Sequence, residues 1–196
     1  MTTRAAVSCA VSYAMTTAPA HAHTVIEGVS GFPGGLLHPL LVPAHLLLLL
    51  TLGLLAGQQR AAHRRVLIPL LPLSLIAAVL LIASAFAFDS QIAILLVCAI
   101  AGILVAFGRA LPLICTAALT AGGGMALMLD SVPALTSVRE TLAALSGTAF
   151  SALALFVLVA TISARLTQPW PIVAGRVLGS WAAASAILVL ALRLGT

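Results

Sequence analysis

The stretch GLLHPLLVPAHLLLLLTLGLLAG (35–57) places His38 and His45 at the head of a leucine run, with Pro39 and Pro43 between them. Neutral imidazole is a good ligand for nickel, copper, zinc and iron. His21, His23 and Glu27 lie a short way upstream and are candidates to complete a coordination set, so the candidate metal residues are His38, His45, His23, His21 and Glu27. On a straight helix, residues seven apart share a face but stand about 10 Å apart, too far to hold one ion together. The prolines change this geometry. Pro39 disfavours the helical conformation at His38, whereas Pro43 suits the first turn of a helix. The sequence therefore predicts a regular helix from near Pro43, preceded over 31–42 by an irregular or kinked entry that swings His38 back towards His45. The turn-rich SGFPGG (30–35) supports that entry. The plainer alternative is a pair of polar residues satisfied by backbone carbonyls. Ionisable residues at membrane depth mark functional sites by default. His63 sits among Arg60, Arg64 and Arg65 in what reads as a solvated loop, and is assigned no chemistry.

Soft sulfur ligands would favour Cu(I), and Cys98, Cys115, Met125 and Met128 fall in two consecutive apolar segments. The competing role for these sulfurs is core packing. The cysteines have no CxxC spacing, so neither a disulfide framework nor a zinc knuckle is indicated. No HExxH, P-loop or GxGxxG occurs, and no helix pairs two carboxylates. The serines have no expected base beside them to activate a nucleophile. The chain is read as not an enzyme, and any transport as driven by an ion gradient or electrochemical potential.

What must position these residues follows from composition. The 196 residues are 62% hydrophobic and only 7% charged, with a mean hydropathy of +1.23. A soluble domain has about 25% charged residues, and one small core could not cover this much apolar surface. The solvent must be lipid. The net charge of +5 comes from arginine alone among the basic residues. It forms no run interleaved with aromatics, which argues against nucleic acid as a partner.

The leader MTTRAAVSCAVSYAMTTAPAHAHT has one basic residue, a short apolar stretch and two small-residue patterns, APA and AHA. It reads as a signal peptide over residues 1–22, cleaved after Ala20 or Ala22. The remaining 23–196 is expected to form a single all-α domain, a polytopic bundle of six transmembrane helices. The six apolar segments run roughly over 36–57, 66–87, 91–108, 110–129, 141–163 and 171–194. Each approaches the length of about 20 residues that a bilayer requires, and the short loops imply antiparallel neighbours.

The arginines set the direction. With both mature termini in the periplasm, Arg60, Arg64, Arg65, Arg109, Arg165 and Arg176 face the cytoplasm, leaving Arg139 and Arg193 outside. Glu27, Asp89, Asp130 and Glu140 all fall outside. This satisfies the positive-inside rule and agrees with the leader, so the expected location is the bacterial inner membrane. Glycines in AGILVAFG, TAGGGMAL and AGRVLGS (101–108, 120–127 and 174–180) mark close helix contacts. The triple glycine predicts a local break or a tight crossing.

The first-segment residues, the six-segment layout and the ending AGRVLGSWAAASAI (174–187) resemble the HupE/UreJ family, small membrane proteins associated with hydrogenase and urease gene sets. The family signature has the form HPxxGxDH followed by leucines. Here it matches at His38, Pro39, His45 and Leu46–Leu50, with Val42 in place of the glycine and Ala44 in place of the aspartate. A middle-helix motif of the form HGxAHG has only LTAGGGMALM (119–128) as its counterpart. The resemblance implies a metal-cation permease or metal-handling protein, for nickel or sometimes cobalt. The bound or transported ion is divalent, and the partners are the bilayer, a metalloenzyme under maturation or a second copy of the chain. A copper route and a non-transport scaffold for a metalloenzyme are the alternatives.

Overall fold

The computed structural model describes residues 29–82, 89–133 and 137–195. The leader, with His21, His23 and Glu27, lies outside the described residues. Among them the chain is all-helical, with seven α-helices: α1 Gly31–Leu41, α2 Pro43–Gln58, α3 Ala61–Ile82, α4 Ser90–Phe107, α5 Leu113–Asp130, α6 Val138–Ala164 and α7 Pro169–Leu194. Helices α3 to α7 are each long and apolar enough to cross a membrane, and α1 with α2, bent by 72° at their junction, makes a sixth when the pair is counted as one span. The expected all-helical, multi-pass membrane architecture is present, with five to six spans among the described residues.

Helix α2 is the axis of the bundle. It touches α6, α4, α5 and α7, and it buries Leu48, Leu49, Leu52 and Leu55 almost completely. Outward faces carry residues such as Leu80, Ile114 and Trp170, each more than two-thirds exposed at 71%, 75% and 72%. Apolar residues thus cover the outside as well as the core, which suits a solvent as apolar as leucine itself. Inward threonines satisfy themselves locally: Thr51 donates to the Leu47 and Leu48 carbonyls and Thr120 to that of Thr116.

The entry to the first span departs from expectation. Residues 31–41 are regular helix, with His38 and Pro39 inside it, not an irregular approach. Pro39 has no N–H to offer the Gly35 carbonyl one turn back, but Thr148 of α6 donates its hydroxyl to that oxygen at 3.1 Å. The neighbouring helix thus repairs the bond the proline removes, and α1 continues. The break falls at Val42, extended at φ −87° and ψ 109°, just before Pro43 opens α2.

Small residues set the helix spacing. A Cβ on Gly35 would lie 1.8 Å from the Ala144 carbonyl oxygen, and one on Gly147 2.2 Å from that of Phe32, so α1 and α6 touch backbone to backbone. Further along α6, Val159 and Ser163 press on Gly53 and Gly57 of α2. Gly102 and Gly179 bring α4 and α7 together in the same way. The triple glycine makes a tight crossing and no break: α5 is continuous, with Gly123 against Leu52 and Gly124 against Ser74.

One expected loop is shorter than its sequence. Only Gln59 and Arg60 separate α2 from α3, because the Arg60 carbonyl accepts from His63 and Arg64 N–H and starts the helix at once. His63 is therefore helical, and the second span begins about one turn earlier than its apolar run.

Candidate functional site

The bend at Val42 decides where the two imidazoles sit. His38 lies in the last turn of α1 and His45 in the first turn of α2. Their ring centroids are 5.0 Å apart with the planes at 65°. A straight helix would separate these residues by about 10 Å of rise. The expectation that the proline-framed segment folds His38 back onto His45 is met, by a kink between two helices.

His45 is fully buried. Its Nε2 lies 3.0 Å from Oδ2 of Asp130, the last residue of α5. The other oxygen, Oδ1, accepts from the hydroxyl of Ser90, the first residue of α4, at 2.9 Å. Three helix termini meet at this carboxylate. Its own helix ends there, which is unfavourable for an anion, but the N-termini of α2 and α4 face it and present their positive poles.

The carboxylate favours the tautomer of a neutral His45 that carries its proton on Nε2. With Nε2–H donating to Asp130, the lone pair resides on Nδ1. That atom is buried and has no hydrogen-bond partner among the described residues. A buried polar atom left unsatisfied costs about 1–3 kcal/mol, so a ligand that accepts the lone pair recovers that cost. A carboxylate on the far nitrogen is the usual outer-shell support of a metal-binding histidine, because it orients the ring and raises its basicity. Two imidazoles on one ion, with metal–nitrogen bonds of about 2.1 Å, place their ring centroids roughly 5 Å apart at a tetrahedral angle. The observed separation matches that requirement.

Among the described residues, no group of three or more His, Cys, Asp or Glu side chains could hold a metal ion. His38 and His45 supply two nitrogens, and Asp130 is engaged behind the second. His21, His23 and Glu27, the other expected ligands, fall outside the described residues. Of the cysteines, Cys98 is buried with its Sγ 3.9 Å from the Thr51 hydroxyl, and Cys115 is exposed. Asp89 caps α4 by accepting from the Ile92 N–H at 3.1 Å and stands apart from the histidines' hydrogen bonds.

Asp130 and Ser90 are partners of the histidine pair that sequence reasoning passed over. Asp130 reads as a span-end acid at a water surface. The usable signal was topological: the same alternation that puts the head of the first span outside puts the end of the fourth there too.

A family model described as HupE / UreJ protein matches residues 11–189. No curated protein and no solved structure matches the chain.

Proposed function

Because the chain belongs to the HupE/UreJ family, we propose that it moves a divalent transition-metal cation, nickel or else cobalt, across the bacterial inner membrane. The family is one of metal permeases and accessory membrane proteins, which supports metal transport at the level of the family. The histidine end is the periplasmic mouth. Support for that direction is the clustering of Arg60, Arg64, Arg65, Arg109, Arg165 and Arg176 at the opposite end of the bundle.

One observation carries the reading: His38 and His45 face each other at 5.0 Å, with a carboxylate on Nε2 of His45 and its Nδ1 buried without a hydrogen bond among the described residues. In this account an arriving cation sheds water and takes both imidazole nitrogens. Asp130 never leaves its bond to Nε2; it holds the ring and balances part of the incoming charge. His21, His23 and Glu27 supply the remaining ligands at the mouth. Below His45, the fully buried Leu48, Leu49, Leu52 and Leu55 close the way onward. No charged ion crosses such a layer without helix movement, so the pathway is gated and the site loads from one side at a time.

The test is uptake of radioactive nickel by cells or vesicles carrying the chain. His38→Ala combined with His45→Ala is expected to abolish uptake and to remove bound nickel from the purified protein, while insertion into the membrane is unchanged. Normal uptake by this double variant would overturn the proposal.

A further inference from the structure

At the end of the bundle away from the histidines, a cavity of about 390 Å³ is walled by Gln58, Gln59, Arg64, Ser163 and Arg176. Each arginine is pinned by a backbone carbonyl. Arg64 Nη1 donates to Gln59 at 2.5 Å and to Gly57 at 3.4 Å, and Arg176 Nε donates to Ala106 at 2.6 Å. A guanidinium has five N–H donors. Among the described residues, Arg64 thus engages only Nη1 and Arg176 only Nε, so the other donors of both groups are unused. The topology puts the described acids Asp89, Asp130 and Glu140 at the histidine end, so no described carboxylate neutralises these charges. Gln58 gives its Nε2–H to Val105, while its Oε1 is buried without a partner.

A phosphate group with a hydroxyl-bearing neighbour answers all of these needs. Guanidinium forks bind phosphate oxygens through paired, charge-assisted hydrogen bonds. The Gln58 oxygen lacks a donor, and a headgroup hydroxyl provides one. Leu166 and Ile172 make part of the wall apolar, which suits the glycerol base of a phospholipid. The volume falls in the range of small-molecule sites, about 300–1,000 Å³, larger than a bare ion needs. A divalent cation is disfavoured by the two fixed positive charges. We propose that this cavity is a binding site for a phosphate-bearing anionic headgroup, held by Arg64 and Arg176. The ligand comes either from a membrane phospholipid or from a soluble phosphate compound. The proposal is independent of the metal reading.

The experiment uses the full chain purified in detergent. Wild type is expected to retain phosphatidylglycerol by native mass spectrometry. After delipidation, it should gain thermal stability from micelles containing phosphatidylglycerol and not from phosphatidylcholine. Arg64→Gln combined with Arg176→Gln is expected to weaken this binding roughly tenfold or more. Arg60→Gln combined with Arg65→Gln removes the same charge from exposed positions that do not line the cavity and should leave binding intact. Because Arg64 also caps α2, Arg176→Gln and Arg64→Lys are measured separately, each checked for a monodisperse helical protein. Both should bind more weakly than wild type while remaining folded. Protection by inorganic phosphate equal to that by phosphatidylglycerol assigns the site to a soluble anion. Absence of protection by either, or equal loss in the exposed double variant, overturns it.

Discussion

The two ends of the bundle solve opposite electrostatic problems with the same helices. At the histidine end, α2 and α4 begin, and their positive poles converge on the carboxylate of Asp130. At the arginine end the same two helices finish. There Arg64 and Arg176 reach over to carbonyls of the last turns, Gly57 of α2 and Ala106 of α4. Each end thus receives the charge its helix dipoles favour. The difference lies in what the partners are. The histidine end joins side chain to side chain across three helices, so one substitution disturbs an entire network. The arginine end joins side chain to backbone, and its contacts are nearly independent of one another. Coupling of that kind marks the first as a place where a bound ion is felt by several helices at once.

The largest expected break in this contrast comes from Gly35→Val. The new Cβ would collide with the Ala144 backbone at 1.8 Å, so α1 must lift from α6 and carry His38 away from His45. A loss of about 3 kcal/mol or more is expected, at the upper range for overpacking. Thermal unfolding and nickel calorimetry should both report it, while headgroup binding at the arginine end persists. Next is Asp130→Ala, which leaves the His45 ring unanchored. Nickel affinity should fall about 10–100-fold, the usual cost of losing an outer-shell carboxylate. Asp130→Asn keeps an acceptor for Nε2–H and should lose less, and the difference between the two isolates the contribution of the negative charge. Equal affinity of Asp130→Ala and wild type would show that Asp130 does not support the site. The smallest change is Arg64→Gln. It removes the cap on α2 at a cost of about 1–2 kcal/mol, read by thermal unfolding, with nickel affinity unaltered.

Much of the architecture was legible in the residues. Length, hydropathy and arginine placement gave six spans, because lipid leaves a chain few alternatives to spanning helices. The paired prolines told that His38 and His45 would meet. They did not tell how, since local rules at Pro39 favour a break where Thr148, 113 positions beyond Gly35, supplies the missing donor to the Gly35 carbonyl. No local rule can include a hydroxyl from another helix. Asp130 was hidden for the same reason. The motif written along one strand of sequence lacks its acid at Ala44, and the structure brings a carboxylate to His45 from 85 positions away. For the triple glycine the sequence left a break or a tight crossing open, and the continuous helix with close contacts at Gly123 and Gly124 is the second of these.

Both halves of the bent first span rest on a single neighbour. Near one end α6 is fused to α1 through Gly35 and Gly147, and further along it grips α2 at Gly53 and Gly57. The 27-residue helix therefore works as a jig to which two short rods are fastened. The gap between the imidazoles therefore depends on that jig as well as on the joint at Val42. Any flexing of α6, from lipid thickness, a bound guest or a docked protein, is transmitted to the rings as a change in bite.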